Sequence, residues 1–291
     1  MNFQWLSISP HSCVLLDSQL PYVSTKPSAT RMTVATHPVK IVFEDDEILV
    51  LDKPSGLLVL PDRYDPSIPN LYELLSGQYG RIFVIHRIDK ETSGLIVFAK
   101  TEASHRLLNQ QFEARTTEKW YAAICVGETE QSGGEIEAPI AESPGKKGKM
   151  KIDPKFGKEA KTVYSVIEHF TGYALVEAGL LTGRTHQIRV HLSSINLPIL
   201  GDDLYGGGDG FYLSAIKPGY KAREEEKPLL SRVALHAQQL AFVHPQSGKQ
   251  LVFESGLPKD MRIVLNYLRK FRGGSKRKAG PATDRALPAK S

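Results

Sequence analysis

The sequence predicts an α+β fold, a mixed and largely antiparallel β-sheet core with helices packed on it. Three observations predict it. Apolar runs of strand length recur along most of the chain, segments with helical spacing of apolar residues are few, and most connections are short and punctuated by Gly, Pro, Asn or Asp. No internal repeat is found.

Residues 1–39 hold many Ser, Thr and Pro residues and no sustained periodicity, so they are expected to form a poorly ordered leader, with Met32 a candidate start. The first strands are expected at 41–43 and 48–51, separated by a turn at 44–47 and followed by the turn Lys53-Pro54-Ser55-Gly56. A short helix is expected around 71–75, a strand at 82–85, a polar loop from His86 to Ser93 and a strand at 95–99. Thr101 can cap the next helix, in which Ala103, Leu107, Leu108 and Phe112 share one face at helical spacing. Strands follow at 121–126, 135–140 and 162–170. Between the last two, seven lysines from Lys146 to Lys161 stand against Asp153 and Glu159, a locally basic loop that could track a phosphate backbone or simply be solvated. A strand at 174–181, a helix at 185–196, a turn-rich return at 198–208 and strands at 235–243 and 250–253 come next. The closing helix, 259–270, buries Met261, Val264, Leu265 and Leu268.

A chain of 291 residues, 41% apolar and 24% charged, accommodates one large globular domain, expected over 40–271. Cys13 and Cys125 are far apart and form no CxxC pair, which speaks against a disulfide framework or a cysteine zinc site. The first forty residues lack a basic stretch followed by an unbroken apolar run, and no segment approaches the roughly 20 apolar residues of a membrane-spanning helix. A cytoplasmic protein without a membrane partner is expected. The formal charge is +5, concentrated at the end: residues 270–291 carry seven Lys/Arg against Asp284. A basic flexible tail is therefore expected over 272–291, able to attract phosphates through counterion release or to remain a solvated end.

Two polar segments could carry chemistry. The first, His86-Arg87-Ile88-Asp89-Lys90-Glu91-Thr92-Ser93-Gly94, lies between two apolar strands that would fix its ends, although its residue types are also those of ordinary turns. The second, Gly183-Arg184-Thr185-His186-Gln187-Ile188-Arg189-Val190-His191-Leu192, joins a strand to a helix and supplies two guanidiniums and two imidazoles. His186 and His191 are five apart, poor spacing for sharing a metal on one helical face, so no metal site is expected. Lys119-Trp120-Tyr121 begins a strand, where an aromatic ring could stack on a base or fill a core.

These clusters occur together and in order with three others: Lys53-Pro54-Ser55-Gly56; Pro198, Gly201, Asp202, Tyr205 and Gly206; and Leu235-His236-Ala237 with His244-Pro245. Over roughly residues 40–256 the chain resembles the RluA family of pseudouridine synthases. The resemblance implies site-specific isomerisation of uridine to pseudouridine in structured RNA by a pseudouridine synthase fold, without a cofactor and as a monomer, ribosomal RNA being favoured over transfer RNA. It implies a catalytic aspartate at Asp89, a tyrosine at Tyr121 lying against the target uracil, and Arg189 paired with the aspartate. Burial of a carboxylate favours its neutral form, and a guanidinium beside it opposes that shift. Ile188 would wall the pocket, and His86 and Arg87 would flank the carboxylate, Arg87 filling the gap left by the everted uridine. Thr92, Arg184 and His186 complete the expected substrate-binding set.

Two features depart from the family pattern. Residues 1–39 are too short and irregular for the small helical RNA-binding domain many relatives carry, and 207–231, with Tyr212, Lys217, Lys221, Arg223 and Glu224-Glu225-Glu226, reads as an inserted loop. A glycoside hydrolase would share an aspartate at an anomeric carbon but needs two opposed carboxylates. A non-catalytic RNA-binding protein would have no need of Asp89, Tyr121 and Arg189 together.

Overall fold

The computed structural model describes residues 31–34, 37–146, 148–221, 225–273 and 275–276. Most of the expected leader and basic tail, together with Lys147, Arg223 and Glu224, lies outside the described residues.

In chain order the elements are β1 (Arg31–Val34), β2 (His37–Glu44), β3 (Ile48–Lys53), α1 (Leu71–Tyr79), β4 (Phe83–Val84), β5 (Ser93–Ala99), α2 (Glu102–Glu113), β6 (Glu118–Val126), β7 (Gly133–Glu137), β8 (Ile140–Glu142), β9 (Met150–Ile152), β10 (Lys161–Phe170), β11 (Tyr173–Leu180), α3 (Gln187–Ser194), β12 (Leu235–Val243), β13 (Gln250–Glu254), α4 (Lys259–Phe271) and β14 (Ser275–Lys276). The main sheet runs β1-β2-β3-β5-β12-β6-β11-β10-β14, with β4 beside β5, β13 beside β12 and β7 beside β10; β8 and β9 form a separate pair. The expected mixed, largely antiparallel sheet with packed helices is what forms. Among the named strands of the described residues the one parallel junction is β5 with β12, where His236 aligns with Ser93 and Ala237 with Gly94.

The pleat sorts side chains to two faces. Leu49 and Leu51 of β3 and Ile96 and Phe98 of β5 join a core that also takes Leu71 and Leu75 of α1, Ile188 and Leu192 of α3, and the Met261, Val264, Leu265 and Leu268 stripe of α4. Ile48, Val50, Leu95, Val97 and Ala99 turn the other way, onto Leu108 of α2 and Phe242 and Phe253. Every residue of β5 is buried, as expected of a strand covered on both faces.

The structure departs from the sequence expectations in identifiable places. Pairing begins at Arg31, where β1 aligns with Val34 opposite His37 and Arg31 opposite Lys40, so the expected boundary at 39 falls inside β2. At the other end Ser275 and Lys276 pair with His169 and Glu168, which extends the sheet past the expected start of the tail at 272. The strand expected at 135–140 is two, β7 and β8, because Ala138 bonds Ala160 while Ile140 bonds Lys158 and turns toward β9. The Lys-rich stretch is thus partly a hairpin. Helix α2 presents Ser104 and Leu108 to the sheet, leaving Leu107 37% exposed and Ala103 at the surface. Its N-terminus sets that rotation: Thr101 caps Ser104 N–H at 3.1 Å, and both hydroxyls bond the Glu47 carboxylate. The helix expected at 185–196 is shorter because His186 and Asn196, with φ of 53° and 61°, take left-handed backbone just beyond its ends.

At Gly94 (φ +112°) a Cβ would lie 2.3 Å from Ala237 O, so only glycine lets β5 and β12 approach. Gly94→Ala should destabilise the protein by roughly 3 kcal/mol or more, read from urea unfolding; a loss under about 1 kcal/mol would show that the seam tolerates a side chain.

Candidate active site

Asp89 sits in the loop between β4 and β5, and the chain around it is tied down from below. Thr92 N–H bonds Asp89 O at 3.1 Å, closing the turn, and Gly56 N–H bonds Lys90 O at 2.8 Å. Ser55 Oγ donates to Glu91 O at 2.6 Å. The Lys53 side chain is completely buried, and its Nζ donates to Pro54 O, Leu57 O and Lys90 O at 3.0, 2.8 and 3.0 Å. An ammonium has three N–H donors, and here each has a carbonyl. Burial pulls the Lys53 pKa down to about 7, against the opposing charges of Glu91 and Asp89. The Lys53-Pro54-Ser55-Gly56 turn is therefore the clamp under the aspartate loop.

Arg189 comes from the first turn of α3. Its Nε and Nη2 meet Asp202 Oδ2 and Oδ1 at 2.7 and 2.8 Å, a two-pronged pair, and its Nη1 reaches Asp89 Oδ2 at 3.3 Å. The side chains of Arg189, Asp202 and Asp89 are 9%, 1% and 28% exposed. The fork geometry of a guanidinium allows this sharing. Asp202 is held in turn by a tight return: its N–H bonds Ile199 O, its carbonyl takes Gly207 N–H, and Leu200 N–H bonds Ile124 O of β6. Gly201 (φ +76°) packs so closely that a Cβ would lie 2.1 Å from Arg232 O.

The turn leading into α3 is fixed by Gln187. Its Oε1 accepts from Thr182 Oγ1 and Arg184 N–H, and its Nε2 donates to Lys161 O and Thr162 Oγ1, at 2.7 to 3.0 Å. That turn delivers His186 with Nε2 3.9 Å from Asp89 Oδ2 and Nδ1 2.9 Å from Tyr205 Oη. Burial lowers the His186 pKa, with Asp89 pulling the other way.

All nine residues singled out from the sequence line one cleft of about 1200 Å³: His86, Arg87, Asp89, Thr92, Tyr121, Arg184, His186, Ile188 and Arg189. Three neighbouring strands and two loops bring them together, since Tyr121 on β6 aligns with Ala237 of β12 and with Ala178 of β11, just ahead of the α3 turn. Burial and the charge of Asp89 push the Tyr121 phenol well above its usual pKa, so its hydroxyl stays protonated. Ile88, Ile188 and Leu235 are buried beside the cleft. Arg87 is exposed on its surface, whereas Arg184 Nε is bonded to Glu159 O at 2.9 Å. His86 is committed to the sheet: Val97 N–H donates to its Nε2 at 3.2 Å, and its ring stacks on Phe112. Burial and the Lys119 charge pull its pKa to about 3, so it is neutral.

Sequence reasoning assigned no role to Lys53, Gln187, Asp202 or Tyr205, although all four lie in the segments that carried the resemblance. Asp202 is also a second carboxylate in the constellation, yet both of its oxygens face Arg189, so it cannot serve as the opposed carboxylate of a glycoside hydrolase. Among the described residues no group of three or more His, Cys, Asp or Glu could hold a metal ion, and no helix is long and apolar enough to cross a membrane.

Comparison with known proteins bears on this constellation. A family described as RNA pseudouridylate synthase matches residues 47–194. The chain is 40% identical over 237 residues to ribosomal large subunit pseudouridine synthase D of Nitrosomonas europaea, covering 80% of this chain and 66% of that protein. It is 40% identical over 241 residues to the protein of the same name from Zymomonas mobilis, covering 79% of this chain and 73% of that one. Among solved structures, human RNA pseudouridylate synthase domain containing 4 is similar, with a TM-score of 0.58 and 28% identity over 79% of this chain and 92% of its own. The family match contains Asp89, Tyr121 and Arg189 and stops before Asp202 and Tyr205.

Replacing Asp202 by Asn keeps its shape but removes the charge and turns an N–H toward the guanidinium. Asp202→Asn should cost roughly 3–5 kcal/mol of stability, measured by urea unfolding; a loss below about 1 kcal/mol would mean that Arg189 does not depend on this partner.

Proposed function

Because the chain belongs to the RNA pseudouridylate synthase family, we propose that it isomerises uridine to pseudouridine in RNA, and that its target lies in large-subunit ribosomal RNA. The observation that carries the reading is the 3.3 Å contact between Arg189 Nη1 and Asp89 Oδ2 on a cleft that Tyr121 also lines. The names of the relatives support ribosomal RNA over transfer RNA.

The reaction breaks the bond from C1′ to N1, turns the uracil in place and joins C1′ to C5; the C5 proton leaves and N1 gains one. Atoms balance without an external reactant. What the protein must supply is a carboxylate at the reacting nucleoside, a surface on which the detached base can turn, and exclusion of the water that would otherwise capture C1′. Asp89 supplies the first, with one oxygen turned to Arg189 and part of the group open to the cleft. Tyr121, Ile188 and Leu235 offer an apolar surface for the uracil. A uridine within paired RNA reaches such a site only when turned out of its stack, and exposed Arg87 is placed to occupy the space it vacates. Arg63, Lys119 and Arg184, which also line the cleft, supply positive charge for the phosphates. A monomeric, cytoplasmic enzyme acting without a cofactor fits this reading.

Asp89→Ala should abolish pseudouridine formation while changing RNA affinity by less than about threefold, since affinity rests mainly on phosphate contacts. Chemical derivatisation of pseudouridine in ribosomal RNA incubated with the purified variant, with filter binding alongside, checks both halves. Measurable turnover by Asp89→Ala would refute the assignment.

A further inference from the structure

Beyond the aspartate, tyrosine and arginine, the cleft wall holds His186, and behind it the ring nitrogen Nδ1 meets Tyr205, a pair whose place the reaction has not yet used. Tyr205, in the short 3-10 turn Asp203–Tyr205, is 8% exposed. Its hydroxyl accepts Met150 N–H of β9 at 2.8 Å and lies 2.9 Å from His186 Nδ1. The guanidinium of Arg189 sits 5.0 Å over its ring, and the Lys149 ammonium 5.7 Å from the same ring.

The hydroxyl has one proton to give. Were Nδ1 the protonated nitrogen, that hydroxyl proton would have no acceptor among the described hydrogen bonds, a costly state for a buried phenol. The arrangement in which every group is satisfied has Tyr205 donating to Nδ1, which leaves the proton of the neutral imidazole on Nε2. Burial favours that neutral form. Nε2 is the atom that faces Asp89 Oδ2, at 3.9 Å, an electrostatic contact too long for a hydrogen bond. His186 is held at φ 53°, a left-handed backbone that is uncommon for a residue with a Cβ and is found disproportionately at functional sites.

We infer that Tyr205 and His186 are positioning residues for the isomerisation: Tyr205 fixes the His186 tautomer that aims an N–H at Asp89, and its ring supports the Arg189 guanidinium. Asp89 is then oriented from two sides, by Arg189 and by His186. Through Met150 the same hydroxyl ties the β8–β9 hairpin, with its lysines, to the carboxylate. This rests on the reading of Asp89 as the working carboxylate.

The test uses the full chain and ribosomal RNA under single-turnover conditions. Tyr205→Phe keeps the ring and removes the hydroxyl; the rate constant should fall roughly 10- to 100-fold, with the RNA dissociation constant within about twofold of the parent. At position 186, Gln can present an amide N–H near the Nε2 position and Asn cannot, although Asn tolerates left-handed backbone better. His186→Gln should therefore be at least about fivefold faster than His186→Asn despite being the less stable of the two. Equal rates for these two variants, or a faster Asn variant, would overturn the inference, as would a folded Tyr205→Phe protein with the parent rate. The parent protein and Asp89→Asn run in the same assay separate the two levels. An inactive parent, or an active Asp89→Asn, sinks the functional reading itself, whereas an active parent, a dead Asp89→Asn and unaffected Tyr205→Phe sink only the positioning role.

Discussion

One buried guanidinium carries the site. Arg189 turns two of its nitrogens to Asp202 and a third to Asp89, and it does so from a position where only 9% of its side chain meets solvent. A lone charge so placed would cost several kcal/mol, and a partner with matched geometry offsets that cost. Asp202 is that partner. It neutralises the guanidinium and leaves the Asp89 carboxylate with an oriented neighbour but without full charge compensation. The role proposed for Asp89 is better served by such an arrangement than by a closed ion pair, in which both oxygens would be engaged.

The sheet exists around that requirement. The parallel junction of β5 with β12 and the neighbouring β6 and β11 put four strands side by side; β6 itself carries Tyr121, and the loop ahead of β5 and the turn after β11 carry Asp89 and the start of α3. Several sequence clusters that look like chemistry are scaffolding for this junction. His236 lies between Ser93 Oγ, 3.0 Å from Nδ1, and Ser255 O, 3.3 Å from Nε2, which bridges β5 and β12 to the segment after β13. His191 takes Thr162 Oγ1 on Nδ1 and Ala138 O on Nε2, fastening α3 to β10. In both, a backbone carbonyl fixes the proton on Nε2 and a hydroxyl donates to Nδ1, so the imidazole is a satisfied core group. Lys53 does for the aspartate loop what these histidines do for the sheet.

Much of this was legible in the sequence because the signals were local. The α4 stripe was read from helical spacing and is buried as read; the Thr101 cap and the strands around residues 95–99 and 235–243 likewise follow from neighbouring residues. The cluster of nine cleft residues was legible through the resemblance, which encodes long-range proximity that spacing alone does not. What escaped were facts set by distant partners. Leu107 looked core-facing until Glu47 fixed the rotation of α2 through Thr101 and Ser104. The partnership of Arg189 with Asp202 spans thirteen positions and a return loop, and nothing in the pattern around either residue announces it. The left-handed backbone at His186 is likewise invisible to propensity, because histidine is an ordinary helix residue and only Gln187, with all four of its amide valences used, forces the turn to close before it.

The central claim is that this cleft moves the glycosidic bond of a uridine from N1 to C5. Large-subunit ribosomal RNA transcribed with uridine tritiated at C5, incubated with the purified protein and no added cofactor, reports that step directly. Tritium should pass to water in proportion to pseudouridine formed. Retention of the label at C5, or release of free uracil, would contradict it.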